Sequence, residues 1–171
     1  MVCVGLGYFV TDKETGKLSL RTKVLIDKHE TVVLRELEET IKNKGYVLTG
    51  HNIKSFDIPF LSKRYIINGM KLPHSFNFGS MKPWDIKMVD TMEIWRFNQY
   101  NSRTSLDVLT AVLGVPSPKG DMDGSQVGKR FYAKEYDAIK EYCRGDIVAT
   151  AQVVLQFKGQ EVLNDKQIIK T

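Results

Sequence analysis

The chain predicts an α/β fold with a mixed sheet flanked by helices, and three observations carry that expectation. A β-prone hairpin opens the sequence, apolar stripes at helical spacing then alternate with short β-prone runs, and a long amphipathic helix closes it. At 171 residues and 42% hydrophobic, the chain is long enough for one substantial core. It shows no linker, repeat or low-complexity tract, so a single domain over residues 1–171 is expected.

Each element has its own signal. Residues 2–10 and 18–26 are β-prone runs joined by the polar stretch Thr11-Asp12-Lys13-Glu14-Thr15-Gly16-Lys17, which reads as a hairpin loop. The second run alternates Leu18, Leu20, Thr22, Val24 and Ile26 with Ser19, Arg21, Lys23 and Leu25, the pattern of a half-exposed strand near a sheet edge. Asp27-x-x-Glu30 has the spacing of a capping box before a stripe of Val33, Leu34, Leu37 and Ile41 that ends at Gly45. Residues 46–49 form a short strand candidate, and residues 86–90 another. Ser105 is placed to cap a short helix with Leu106, Leu109 and Leu113 inward. The last helix runs from about Lys134 to Phe157, with Ile139, Cys143, Ile147, Ala151 and Leu155 at four-residue steps.

Between the first short strand and the next helix lies Gly50-His51-Asn52-Ile53-Lys54-Ser55-Phe56-Asp57-Ile58-Pro59-Phe60-Leu61. It places one carboxylate at a strand-to-helix seam, with Pro59 in the first turn and Phe60, Leu61, Tyr65 and Ile66 forming an apolar stripe. Capping alone explains an Asp-x-Pro at a helix start. In the final helix, Tyr142 and Asp146 are four apart and share a face at the margin of the core stripe, able to look into a cleft. Gly145 between them costs about 1 kcal/mol relative to Ala, a cost that a close approach of backbone or substrate would explain.

Charge and composition narrow the partners. The net charge of +5 permits an anionic partner such as nucleic acid, although the basic residues are spread along the chain. The longest near-apolar run, residues 2–10, is far short of a membrane span and lacks a signal peptide's basic start, which points to the cytoplasm and to no membrane partner. Two cysteines, Cys3 and Cys143, agree with a reducing compartment. His29, His51 and His74 do not make a metal set, and Asp121-Met122-Asp123-Gly124 reads as a turn rather than a calcium loop.

Taken together, the Gly50 to Leu61 string resembles the second exonuclease motif of family B DNA polymerases and their stand-alone relatives, the DnaQ-like, RNase H-fold 3′-5′ exonucleases. Tyr142-x-x-x-Asp146 resembles the third motif of their tyrosine-type (DEDDy) subgroup. Asp90-Thr91-Met92-Glu93-Ile94-Trp95, Ser105 to Leu109, Leu113 to Lys119 and Asp123 to Val127 are similar to the predicted exonucleases related to the polymerase B exonuclease domain, so the resemblance covers nearly the whole chain. It implies an RNase H-like mixed sheet and two-metal hydrolysis of 3′-terminal phosphodiester bonds with Mg²⁺ or Mn²⁺, in nucleic acid of which single-stranded DNA is the favoured form. It assigns Asp57 and Asp146 as metal ligands and Tyr142 as the group that orients the attacking water; Asn52 is placed to contact substrate or the seam backbone, and His51 and Phe56 are candidate substrate contacts, with a structural role as the stronger alternative for His51.

The resemblance also implies an Asp-x-Glu on a first, central strand, and the chain opens on what looks like the family's second strand. The expectation is therefore an N-terminally shortened exonuclease domain with an incomplete two-metal site, inactive or weak as it stands. Its sheet edges, left unpaired, would favour self-association or a rearranged sheet. Asp12-Lys13-Glu14-Thr15-Gly16 carries similar letters but falls on the hairpin turn. Two carboxylates balance half the charge of two divalent ions. The alternative is a catalytically dead nucleic-acid-binding or structural module of the same fold. Trp84, Trp95, Phe76, Phe78 and Tyr100 could stack on bases, and Lys54, Lys63 and Arg64 could meet phosphates; core packing and solvated surface are the competing roles.

Overall fold

The computed structural model describes the chain except residues 43, 44, 80, 83, 84, 100 and 117–121. The candidate stacking residues Trp84 and Tyr100, Asp121 of the turn, and Ser117 to Lys119 of the quoted motifs lie outside the described residues. The chain divides into two compact units: residues 29–104 with Met1, and residues 2–28 with 105–171. The fold is α/β, and its mixed sheet is flanked by helices.

In the second unit the hairpin forms as the alternation demands. Strand β1 (Cys3–Thr11) pairs antiparallel with β2 (Leu18–Ile26) over nine residues, from Cys3 opposite Ile26 to Thr11 opposite Leu18. The turn is organised by Asp12, whose carboxylate accepts from the backbone N–H of Glu14 and Thr15 and from the Thr15 hydroxyl at 2.7–3.1 Å. These bonds hold Asp12 below the usual carboxylate range. Asp12 and Glu14 are thus turn residues, and no strand among the described residues carries an Asp-x-Glu. The edge expected at β2 is instead the centre of a three-stranded sheet, because a C-terminal strand, β5 (Ile168–Lys170), pairs parallel with residues 20–22. Buried Gln152 fixes that return: its amide donates to the Leu163 carbonyl and accepts from the Leu163 N–H, each at 2.8 Å.

The long helix α6 (Tyr136–Phe157) packs on β1 and β2. Its Ile139, Ala151 and Leu155 are buried as the four-residue stripe requires, whereas Cys143 and Ile147 are half-buried. Gly5 and Gly7, two apart and so on one face of β1, explain the close fit. A Cβ at Gly5 would stand 2.6 Å from Cys143 Sγ, and one at Gly7 would stand 2.5 Å from Ile147 Cγ2. Leu20, Ala151, Leu155 and Leu163 close this core. Short helices α4 (Leu106–Val112), which Ser105 caps as its spacing predicts, and α5 (Val127–Tyr132) also contact α6.

The first unit is a βαβ arrangement beside a helix. Helix α1 (Glu30–Ile41) buries Val33, Leu34 and Leu37, but its N-cap is His29 and no side chain caps it. The expected capping box does not form, because Glu30 is drawn into an ion pair with Arg64 and accepts from Asn68 and the N-terminal amine. Strand β3 (Leu48–Gly50) leads into α2 (Asp57–Ile67) and then to β4 (Met88–Asp90), which pairs parallel with β3, Gly50 opposite Asp90. Helix α2 buries Ile58, Leu61 and Tyr65, while Phe60 and Ile66 of the expected stripe are exposed. Tyr65 pins α2 to α1 by donating to the Leu34 carbonyl at 2.5 Å. The single sheet that the sequence suggested is present as two, β1-β2-β5 and β3-β4.

Candidate active site

Gly50 and Asp90 sit at the carboxyl ends of two parallel strands, the edge at which open α/β sheets place ligands. From Gly50 the chain must turn sharply toward α2. A Cβ there would lie 2.7 Å from the Ile53 Cβ, so the position requires glycine. Asn52 follows in the left-handed region at φ 59°, a conformation that asparagine tolerates. Its carbonyl accepts from the N–H of Ser55 and Phe56 at 3.3 and 3.0 Å.

Asp90 holds this turn in place. It is 3% exposed, and its carboxylate accepts three backbone N–H groups: Asn52 at 2.9 Å, Lys54 at 3.2 Å and Met92 at 3.0 Å. The Met92 contact makes it the N-cap of α3 (Thr91–Trp95), so one side chain joins the seam loop to the next helix. The sequence quoted Asp90 only within a motif; the available signal was an Asp-Thr at a strand end, where a cap belongs. His51 is likewise built in. Its Nδ1 lies 2.9 Å from the Thr91 hydroxyl and its Nε2 lies 2.8 Å from the Thr104 carbonyl, so both ring nitrogens are engaged within the unit. Lys54 and Arg64, the candidate phosphate contacts, are engaged in ion pairs, Lys54 with Glu93 at 2.7 Å and Arg64 with Glu30.

Asp57 is different. It is the first residue of α2, with Phe56 rather than Asp57 as N-cap, so it is not spent on capping. It is exposed, and among the described residues its carboxylate is hydrogen-bonded by its own backbone N–H. Loss of solvation at the carboxyl, and after it the negative charge of Asp90, push Asp57 above the usual carboxylate range, against the pull of that N–H. Beside it, Phe56 is 62% exposed and stacks on Phe60, with ring centroids 6.2 Å apart and planes within 6°. The sequence singled out Phe56 but placed Phe60 in the core. Phe76 of the aromatic set is buried against Tyr65.

Tyr142 and Asp146 lie in the second unit, on one face of α6. Tyr142 is half-buried with its hydroxyl against Gly124, where an added Cβ would come within 3.4 Å; Asp146 is exposed. Tyr142 and Gly145 line an open cleft of about 460 Å³ together with Arg130, Glu141 and Arg144, so Gly145 opens onto space rather than onto a packed helix. Arg130 is held by Glu135 and Arg144 by Glu141.

The carboxylates of Asp57 and Asp146 are hard oxygen ligands suited to Mg²⁺ or Mn²⁺. Among the described residues no group of three or more His, Cys, Asp or Glu side chains is placed to hold a metal ion. No described helix is long and apolar enough to cross a membrane.

Comparison with curated proteins gave no match, and comparison with solved structures gave none. A family model for predicted 3′-5′ exonucleases related to the exonuclease domain of PolB matches residues 4–167, almost the whole length, and the chain belongs to that family.

Proposed function

We propose that the chain acts on the 3′ end of nucleic acid, single-stranded DNA foremost, by metal-dependent phosphodiester hydrolysis. Family membership supports the reaction class. The observation that carries the residue assignment is the contrast at the seam, where Asp90 takes the structural work and leaves Asp57 exposed at the carboxyl ends of the parallel strands.

In this reading the carboxylates of Asp57 and of Asp146 are ligands for Mg²⁺ or Mn²⁺, which when bound would neutralise phosphate charge and make water a better nucleophile. Tyr142 holds the attacking water by its hydroxyl. Asn52 faces the substrate from its left-handed turn, and the exposed rings of Phe56 and Phe60 give unpaired bases a stacking surface. Two assigned carboxylates balance only half the charge of two divalent ions, so turnover in this reading is slow, and the second reading is a nucleic-acid-binding module of the same fold without catalysis.

The test is release of mononucleotide from a 3′-labelled single strand with Mn²⁺, compared among the wild type, Asp146→Asn and Tyr142→Phe, with binding followed by fluorescence anisotropy. Slow release by the wild type that falls at least tenfold in both variants, with binding retained, supports the enzyme. Binding without release in all three supports the module. Neither binding nor release overturns both.

A further inference from the structure

Cys3 and Cys143 are the chain's two cysteines, and the fold brings them from opposite ends of the sequence to one contact. Cys3, Gly5 and Gly7 share the face of β1 that meets α6. The glycines carry no side chain there, and a Cβ at Gly5 would stand 2.6 Å from Cys143 Sγ, so Cys143 lies over β1 beside Gly5, two residues from Cys3 on the same face. The two thiols hydrogen-bond to each other, both are half-buried, and neither is in a disulfide. Cysteines used as small apolar residues pack against carbon; here each sulfur's hydrogen-bond partner is the other. Asp146, one turn further along α6, places its charge near both.

We infer that Cys3 and Cys143 are a redox-active dithiol, which a small-molecule disulfide such as oxidised glutathione converts into an intramolecular disulfide that fastens β1 to α6 one turn before Asp146. The chemistry is thiol exchange in two steps. The Cys3 sulfur attacks one sulfur of the oxidant and forms a mixed disulfide, and the first glutathione leaves as a thiol with the proton Cys3 gives up. The Cys143 sulfur then attacks the Cys3 sulfur, and the second glutathione leaves with the Cys143 proton. Two electrons and two protons pass from the protein to the oxidant. The order follows from the hydrogen bond. Cys143 donates to the Cys3 sulfur and holds Cys3 below the usual thiol range, while Cys143 itself is pushed up. Closing so long a loop constrains the unfolded chain, so the oxidised protein is the more stable form.

The experiment treats the whole chain with oxidised glutathione and reads intact mass without reductant, free thiols and the thermal midpoint. The expected product is a monomer lighter by two hydrogens, with no free thiol and a midpoint raised by about 5 °C or more, all reversed by dithiothreitol. Cys143→Ala, which removes volume without adding any, should stop at one stable glutathione adduct on Cys3. Two glutathiones on the wild type, a disulfide-linked dimer, or two thiols that survive the oxidant would each overturn the pairing. The wild-type mass is decisive even if the variant does not fold.

Discussion

Asp90 and Asp57 stand at the same seam and have opposite surroundings. Asp90 is buried with its oxygens spent on three backbone N–H groups, and Asp57 is exposed with its own N–H as its hydrogen-bond donor. A carboxylate that accepts several backbone donors is part of the fold, because removing it strands those donors. A carboxylate that has lost part of its solvation and stands beside another negative charge costs stability, and such costs gather where a site needs charge. The difference separates a positioning residue from a candidate ligand by hydrogen-bond accounting alone.

The widest way to break this comparison is at Asp57. Asp57→Asn should lower nucleotide release by roughly 10²- to 10³-fold, while the denaturant midpoint stays level or rises slightly, since the amide removes a charge that its surroundings disfavour. A clear loss of stability would mean that Asp57 is structural after all. Asp90→Ala should do the reverse, costing about 3 kcal/mol as three N–H groups lose their acceptor. Asp90→Asn should recover part of that loss through its remaining carbonyl oxygen. A change below about 0.5 kcal/mol would refute the assignment.

The smallest effect sharpens the comparison with a third acid. Glu30 is held down to about 2, first by Arg64 and then by Asn68 and the N-terminal amine. Its pKa is depressed in the folded state, so its stabilising contribution is present above the ordinary carboxylate value near 4.5 and is lost as pH falls from there toward about 2. Glu30→Gln should flatten that acid limb of the stability profile and leave the neutral region changed by less than Asp90→Ala does. Water reaches the partly exposed Arg64, which limits the size of the effect. An unchanged acid limb in urea titrations would rule this out.

The legible parts of the chain were those in which neighbouring residues determine the outcome. The hairpin, the Val33/Leu34/Leu37 stripe, the Ser105 cap and the extent of α6 all follow from alternation, helical spacing or a cap within a few positions. The failures share the opposite cause. Asp27-x-x-Glu30 is a good local capping box, but Arg64 and Asn68, more than thirty residues away, take Glu30 instead. β2 has the pattern of an edge strand and becomes central because Gln152 and Leu163 return the C-terminus to it. Phe60 and Ile66 fit the apolar spacing of α2, yet the face that packs runs through Ile58, Leu61 and Tyr65.

By itself, then, the sequence determined the α/β class, the order of the principal elements and the motif letters that mark the family, because periodicity and spacing are properties of a short window. Tertiary structure alone decided which acid of the seam is buried in hydrogen bonds and which stays exposed, that both His51 nitrogens are consumed, and that Cys3 meets Cys143. Those outcomes depend on which hydrogen-bond donors and acceptors arrive from distant segments, and a residue's letter does not record who its partner will be.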